Sequence, residues 1–257
     1  VVAGWPFYRS NGDPLARGGI SSPALGDIDG DGLLEIVVGG TSPRCTPHNG
    51  DPCGIVDYSV APVWALNGDS TLVPGWPKYL PQLVDSSPAL GDLDGNGQLD
   101  IVVGTGRKQI PNDDGRFVYA WRGNGDPLPG WPQPVITWTQ GSPALADLDG
   151  NGGLDVIVGC GHMDDAGCYS LYAWRGNGAT IGGFPTTPST THPVSQPLST
   201  MLSPIVADVD GNGQLDILMA GHNSPGVTVI RADGQLQPDL TRNQHLSLIH
   251  ISEPTRL

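Results

Sequence analysis

Four short segments of the chain carry oxygen-bearing side chains at one shared spacing. With the leading aspartate as position 1, such side chains stand at positions 1, 3, 5 and 9. The four sets are Asp27, Asp29, Asp31 and Glu35; Asp92, Asp94, Asn96 and Asp100; Asp147, Asp149, Asn151 and Asp155; and Asp208, Asp210, Asn212 and Asp216. Alternate oxygen ligands in a tight loop can be directed at one centre, and a flexible cage of oxygens suits Ca²⁺ better than Mg²⁺ or a transition metal.

Two further positions fit this chemistry. Position 6 is Gly in all four loops, which permits the sharp turn, and position 7 would offer a backbone carbonyl from Leu33, Gln98, Gly153 and Gln214. An EF-hand begins in the same way but places a bidentate Glu at position 12 between helices, whereas here position 9 is the last acid and a strand follows. A plain hairpin turn is the other alternative. The fourfold spacing favours metal, and we predict up to four Ca²⁺ ions.

The charge of the chain supports a bound cation. The net charge is -14, from 26 acidic and 12 basic side chains, and 13 of the acidic residues lie in the four loops. Four Ca²⁺ ions would bring the net charge to about -6. Without a basic stripe that could neutralise phosphates, nucleic acid is excluded as a partner. No run approaches 18 apolar residues, so we expect no membrane insertion.

The loops belong to a longer internal repeat. Their leading aspartates are 65, 55 and 61 residues apart, and each loop lies between an SPAL-type segment and an IVVG-type segment. A second motif recurs between them, as VWALNGD from Val63, VYAWRGNGD from Val118 and LYAWRGNGA from Leu171, followed by PGWP or GGFP. One supersecondary unit per repeat is therefore predicted, with four strands in each unit.

The strand patterns indicate an all-β fold. IVVG and VIVG are apolar at successive positions, as expected for strands that are covered on both faces. The Asn-Gly turns favour hairpins, and Pro in the GWP segment places that segment at a sheet edge. Four-stranded sheets that repeat about every 60 residues predict the blades of a β-propeller.

The unit SPALGDLDGNGQLDIVVG resembles the VCBS/FG-GAP repeat, the calcium-loop propeller blade also found in integrin α-subunit heads. The literal FG and GAP tripeptides are absent. The resemblance covers about residues 1–240, and it implies a calcium-binding propeller that usually closes with about seven blades. We predict the end of a preceding blade at 1–18, full blades at 19–83, 84–138 and 139–197, and a truncated blade at 198–240. Residues 246–257 are predicted to be a non-natural, adaptor-derived tail.

The four cysteines fall into two pairs. Cys45 and Cys53 are eight residues apart, as are Cys160 and Cys168, and each pair follows the IVVG-type strand of its own unit. Two local disulfides are the most economical of three possible connectivities, and they indicate an oxidising compartment. A zinc site with His48 or His162 is the alternative, although neither spacing resembles a zinc knuckle.

Tryptophans and histidines have less specific interpretations. A tryptophan recurs once or twice in each unit, which favours packing between blades over a sugar-binding platform. The recurring positions are Trp5, Trp64, Trp76, Trp121, Trp131 and Trp174. We interpret His162 and His222 as solvated loop residues rather than catalytic ones.

No motif for a nucleophile, a metalloprotease or a phosphate loop is found. We therefore expect a secreted or cell-surface, non-catalytic binding, adhesion or accessory module whose partner is a protein or glycan. Recognition would lie in the connections at 40–62, 105–116, 160–170 and 180–201, which differ between units. The alternatives are a calcium-dependent polysaccharide lyase or hydrolase propeller, as the resemblance to rhamnogalacturonan-lyase-type propellers permits, and an accessory propeller of a secreted protease.

Overall fold

The computed structural model describes nine ranges of the chain: 21–40, 44–48, 51–57, 61–106, 116–136, 138–160, 170–186, 202–220 and 227–237. In these ranges the protein is all-β, as predicted. They contain no helix, and so none that is long and apolar enough to cross a membrane. The predicted non-natural tail at 246–257 lies outside the described residues.

Sixteen strands follow one another along the described chain. They are β1 (Ala24–Gly26), β2 (Glu35–Gly39), β3 (Arg44–His48), β4 (Asp51–Asp57), β5 (Ala61–Leu66), β6 (Lys78–Leu80), β7 (Ala89–Gly91), β8 (Asp100–Gly104), β9 (Arg116–Arg122), β10 (Gln133–Val135), β11 (Ala144–Ala146), β12 (Asp155–Cys160), β13 (Ser170–Arg175), β14 (Ile205–Ala207), β15 (Asp216–Ala220) and β16 (Val227–Arg231).

Fourteen of these strands form four small antiparallel sheets, one for each repeat. Sheet 1 has the order β1-β2-β5-β6 and sheet 2 the order β7-β8-β9-β10. Sheet 3 contains β11-β12-β13 and sheet 4 contains β14-β15-β16. A separate hairpin, β3-β4, is inserted between the second and third strands of sheet 1.

The second strand of each inner sheet is buried on both faces. All five residues of β8 are buried, and so are Val156, Ile157 and Val158 in β12. Successive side chains of a strand point to opposite faces. Ile101 and Val103 accordingly belong to one core cluster with residues of sheet 1, and Val102 belongs to another with Val156 and Val158 of sheet 3. The consecutive apolar residues in these strands are thereby explained, and the prediction of strands covered on both faces is confirmed for β8 and β12.

The first strands of consecutive sheets are neighbours. A Cβ on Gly26 would lie 2.7 Å from Leu99 and 2.8 Å from Leu90, so these leucines of sheet 2 pack where sheet 1 has no side chain. A serine hydroxyl of each following sheet also accepts a backbone N–H from the sheet before it. These contacts are Ser22 to Ser87 at 2.9 Å, Ser87 to Ser142 at 3.0 Å and Ser142 to Ser203 at 2.9 Å.

Tryptophans also connect adjacent sheets, through hydrogen bonds and ring contacts. The Trp76 indole Nε1 donates a 2.7 Å hydrogen bond to the Gly123 carbonyl of sheet 2, and its ring meets Trp121 edge to face with centroids 5.8 Å apart. Trp131 repeats the contact with Gly176 of sheet 3 at 2.8 Å. Packing between sheets is therefore confirmed for Trp76 and Trp131.

The fourth strand differs from the expectation. The GWP segment itself is not a strand, since Gly75 has a φ of 89° and the Trp76 N–H bonds to the Val73 carbonyl in a turn. The edge strand β6 begins immediately after Pro77 and pairs with β5. The turn positions the indole against the next sheet, and the residues after the proline complete the ladder.

The contact between sheets 1 and 2 is testable at Gly123. A Cβ at this position would collide with the Ile28 carbonyl oxygen, which is backbone and cannot move aside by a rotamer change. We expect Gly123→Ala to reduce the free energy of unfolding by about 1–3 kcal/mol. Chemical denaturation measures the change.

Gly68 provides the matched control, because it stands at the corresponding position of sheet 1 and no described atom lies within 4 Å of a Cβ there. Gly68→Ala should be neutral or slightly stabilising. Equal stability losses for the two variants would contradict the close approach of the sheets.

Candidate metal centres

Each acidic loop connects the first and second strands of its sheet. Position 1 follows the first strand and position 9 opens the second, and the residue before position 1 pairs directly with position 9. The pairs are Gly26 with Glu35, Gly91 with Asp100, Ala146 with Asp155 and Ala207 with Asp216. The antiparallel register therefore closes each loop on itself and brings its two ends together.

The loops share one internal hydrogen-bond pattern. The position 1 carboxylate accepts the N–H of the position 6 glycine, at 2.8–3.0 Å in all four loops. The position 5 side chain accepts the N–H of position 7, at 2.7–2.8 Å. Position 6 has a φ of 86–89°, the left-handed region that favours glycine.

Three of the predicted ligand positions converge in every loop. Positions 1, 3 and 9 each offer one carboxylate oxygen, and these oxygens lie within 4.8 Å of one another. The groups are Asp27, Asp29 and Glu35; Asp92, Asp94 and Asp100; Asp147, Asp149 and Asp155; and Asp208, Asp210 and Asp216. Asp31 at position 5 of the first loop is not in its group. Position 7 carbonyls as ligands stay a prediction.

The position 9 carboxylate is the buried member of each group. Glu35, Asp100, Asp155 and Asp216 are each 1% exposed. One oxygen of each accepts the backbone N–H of position 2, at 2.8 Å in the first three loops and 3.3 Å in the fourth. This bond fixes the carboxylate against the start of its own loop.

In two loops the other oxygen of this carboxylate has no hydrogen-bond partner. The Oδ1 atoms of Asp100 and Asp155 are buried and unpaired. Burying a carboxylate oxygen without a hydrogen-bond partner or a counter-charge is unfavourable. A cation shared with the carboxylates at positions 1 and 3 would supply that counter-charge. The donor set therefore fits a hard metal ion.

The protonation of these groups reflects the same burial. Desolvation raises the pKa of Asp100 and of Asp155 from 3.8 to about 6, although backbone N–H groups oppose the shift. Desolvation likewise raises the pKa of Glu35 and Asp216. Neighbouring loop carboxylates add to each increase, because like charges disfavour a further negative charge.

Two arginines hold the position 3 carboxylate in the middle loops. Arg122 at the end of β9 donates to Asp94 Oδ2 at 2.8 Å, and Arg175 at the end of β13 donates to Asp149 Oδ2 at 2.8 Å. The sequence analysis did not predict that these arginines pair with the loop, although both belong to the recurring YAWRG motif. Sheet 1 has the uncharged Asn67 at this position.

Other predicted residues fall outside the described part of the chain. The β3-β4 hairpin carries Cys45 and Cys53 in its backbone, but the side chains of these two and of Cys160 are not described, and neither is any part of Cys168. The same holds for the side chain of His48 and for His162, His222 and Trp5. Their roles stay predictions.

Comparisons with known proteins reveal a distant structural likeness. No family model matches the chain, and no curated protein matches it. The chain is similar to the crystal structure of the V. cholerae biofilm matrix protein Bap1, with 15% sequence identity and a TM-score of 0.40. The match covers 87% of this chain and 39% of that chain, so this chain spans well under half the length of its neighbour.

The raised pKa values predict how stability depends on pH in the absence of calcium. The folded state binds protons at Asp100 and Asp155 more tightly than the unfolded chain does, so protonation of these two groups stabilises the fold. This stabilisation is present near pH 4 and is lost as the pH rises through about 6. We expect the melting midpoint of metal-free protein to rise by about 2 °C or more between pH 7.5 and pH 5.

Differential scanning calorimetry with a chelator present measures this shift. The double variant Asp100→Asn/Asp155→Asn should lose most of the rise, since its amides do not titrate. A midpoint of the wild-type protein that falls over the same interval would contradict the assignment of raised pKa values.

Proposed function

We propose that this chain is a calcium-binding module of β-propeller type, secreted or exposed at a cell surface, which binds or displays without catalysis. The observation that carries the proposal is the buried, unpartnered Oδ1 of Asp100 and Asp155 within a group of three carboxylates. A cation satisfies these atoms and offsets the repulsion among the carboxylates that surround them.

The donor set favours calcium over other metals. The four groups contain only Asp and Glu carboxylates, without the Cys or His that zinc and copper prefer. The remaining candidate ligands are the carbonyls at position 7 and the side-chain oxygens at position 5, which belong to a carboxylate in the first loop (Asp31) and to Asn amides in the other three. Such irregular, oxygen-only cages suit Ca²⁺, which accepts six to eight ligands, better than the strictly octahedral Mg²⁺.

The order of the sheets supports a propeller. Each repeat contributes one antiparallel sheet, the first strands of consecutive sheets are neighbours, and Trp76 and Trp131 each bond to the following sheet. Radial repetition of such sheets around an axis lined by first strands is the propeller arrangement. The resemblance to the VCBS/FG-GAP repeat implies the same architecture.

An extracellular location accords with both the metal and the thiols. Extracellular calcium modules have dissociation constants of about 10⁻⁴–10⁻³ M, which suits loops with only three convergent carboxylates. The proposed disulfides, Cys45 with Cys53 and Cys160 with Cys168, would form in the same oxidising environment.

The acidic loops recur in every repeat and therefore serve the scaffold. A recognition site would lie in the connections that differ from repeat to repeat, at 40–62, 105–116, 160–170 and 180–201. We propose a protein or glycan as the partner, and we assign no catalytic residue.

Calcium should stabilise the protein through position 9. At calcium ten times the dissociation constant, each site adds about 1.4 kcal/mol to the free energy of unfolding. Asp100→Asn/Asp155→Asn should therefore lose about 3 kcal/mol of calcium-dependent stabilisation. In chelator at pH 7.5 this variant should be at least as stable as the wild type, because it no longer buries two charged carboxylates. Paired thermal melts in calcium and in chelator measure both quantities.

Asp126→Asn is a matched control, because it removes one carboxylate charge from an exposed turn outside the loops. This variant should keep the full response to calcium. Identical melting midpoints of wild-type protein with and without calcium would refute the proposed function.

A further inference from the structure

The fourth loop differs from the others in the residue that packs beneath it. Gln237 is 4% exposed and occupies the place of an apolar residue in the other three sheets. Its backbone N–H donates to the Val229 carbonyl, just as the backbone N–H of Leu128 donates to the Ala120 carbonyl in sheet 2. The corresponding residues are Val73, Leu128 and Ile181, all of them buried.

The Gln237 amide bridges two carboxylates of the loop. Its Nε2 donates to Asp216 Oδ1 at 3.0 Å and to Asp210 Oδ2 at 3.1 Å. Asp216 Oδ1 corresponds to the Oδ1 atoms of Asp100 and Asp155, which have no hydrogen-bond partner. The Gln237 amide therefore gives Asp216 Oδ1 the hydrogen-bond partner that the corresponding atoms of Asp100 and Asp155 lack.

We infer that Gln237 takes the place of the metal ion in the fourth loop, so that this loop binds calcium much more weakly than the other three. The inference rests on the proposed function, since it presupposes that the other loops hold calcium. An ion that enters between Asp210 and Asp216 must first displace the amide from both carboxylates.

The size of the effect follows from the bonds that are lost. Hydrogen bonds to charged groups are stronger than neutral ones, and the site gives up two of them. The affinity of the fourth loop should consequently be at least about tenfold lower than that of the others. The four acidic loops, nearly identical in sequence, then differ in affinity because of a residue outside the loop.

Calcium titration by calorimetry, with ions counted by native mass spectrometry, tests the inference. Wild-type protein should bind three ions tightly and a fourth at least about tenfold more weakly. Asp208→Asn should leave the three tight sites unchanged. Gln237→Leu, which restores the residue type of Leu128, should convert the weak site into a fourth tight one. Gln235→Ala, an exposed change in the same turn, should match the wild type.

Four sites of equal calcium affinity in the wild type, with three remaining in Asp208→Asn, would overturn the inference whatever Gln237→Leu shows. Weaker binding of the fourth ion in Gln237→Leu would also overturn it, because the glutamine would then be a ligand. Absence of calcium at every loop would overturn the proposed function and this inference together.

Discussion

A carboxylate buried at the start of the second strand is the constraint on which the four repeats depend. Burial raises the pKa of Asp100 and Asp155 to about 6 and leaves one oxygen of each without a partner. The strand cannot release this group, because Asp100 also pairs with Gly91 and accepts the Leu93 N–H. The loop geometry, the glycines at position 6 and the proposed calcium all serve to accommodate that one group.

The packing of the sheets explains why the carboxylate is buried at all. Leucines of one sheet fill the space beside a glycine of the preceding sheet, and Trp76 and Trp131 bond across to the next one. The position 9 side chains that open the second strands are each 1% exposed in this packing. The energetic cost of burying charge and the gain from packing apolar surface are therefore coupled in the same strand.

Much of this arrangement could be predicted from the sequence. The spacing of carboxylates in the loop from Asp92 to Asp100 predicted their convergence, and the apolar run of β8 predicted its burial on both faces. The sequence could not reveal which carboxylate would be buried, since that depends on contacts between sheets. It also concealed Gln237 and Arg122, which lie more than 20 residues from the carboxylates that they contact. The start of β6 after Pro77 depended on a turn that the GWP motif alone does not specify.

A crystal structure of the protein grown in calcium, with anomalous data collected at long wavelength, would locate any ion bound at the buried carboxylates. We expect an anomalous peak in each of the first three loops. The ion should lie about 2.3–2.6 Å from a position 9 oxygen, which in the second and third loops is the Oδ1 of Asp100 and of Asp155. Loops without anomalous peaks at saturating calcium, or ions bound only by the exposed carboxylates, would contradict this expectation.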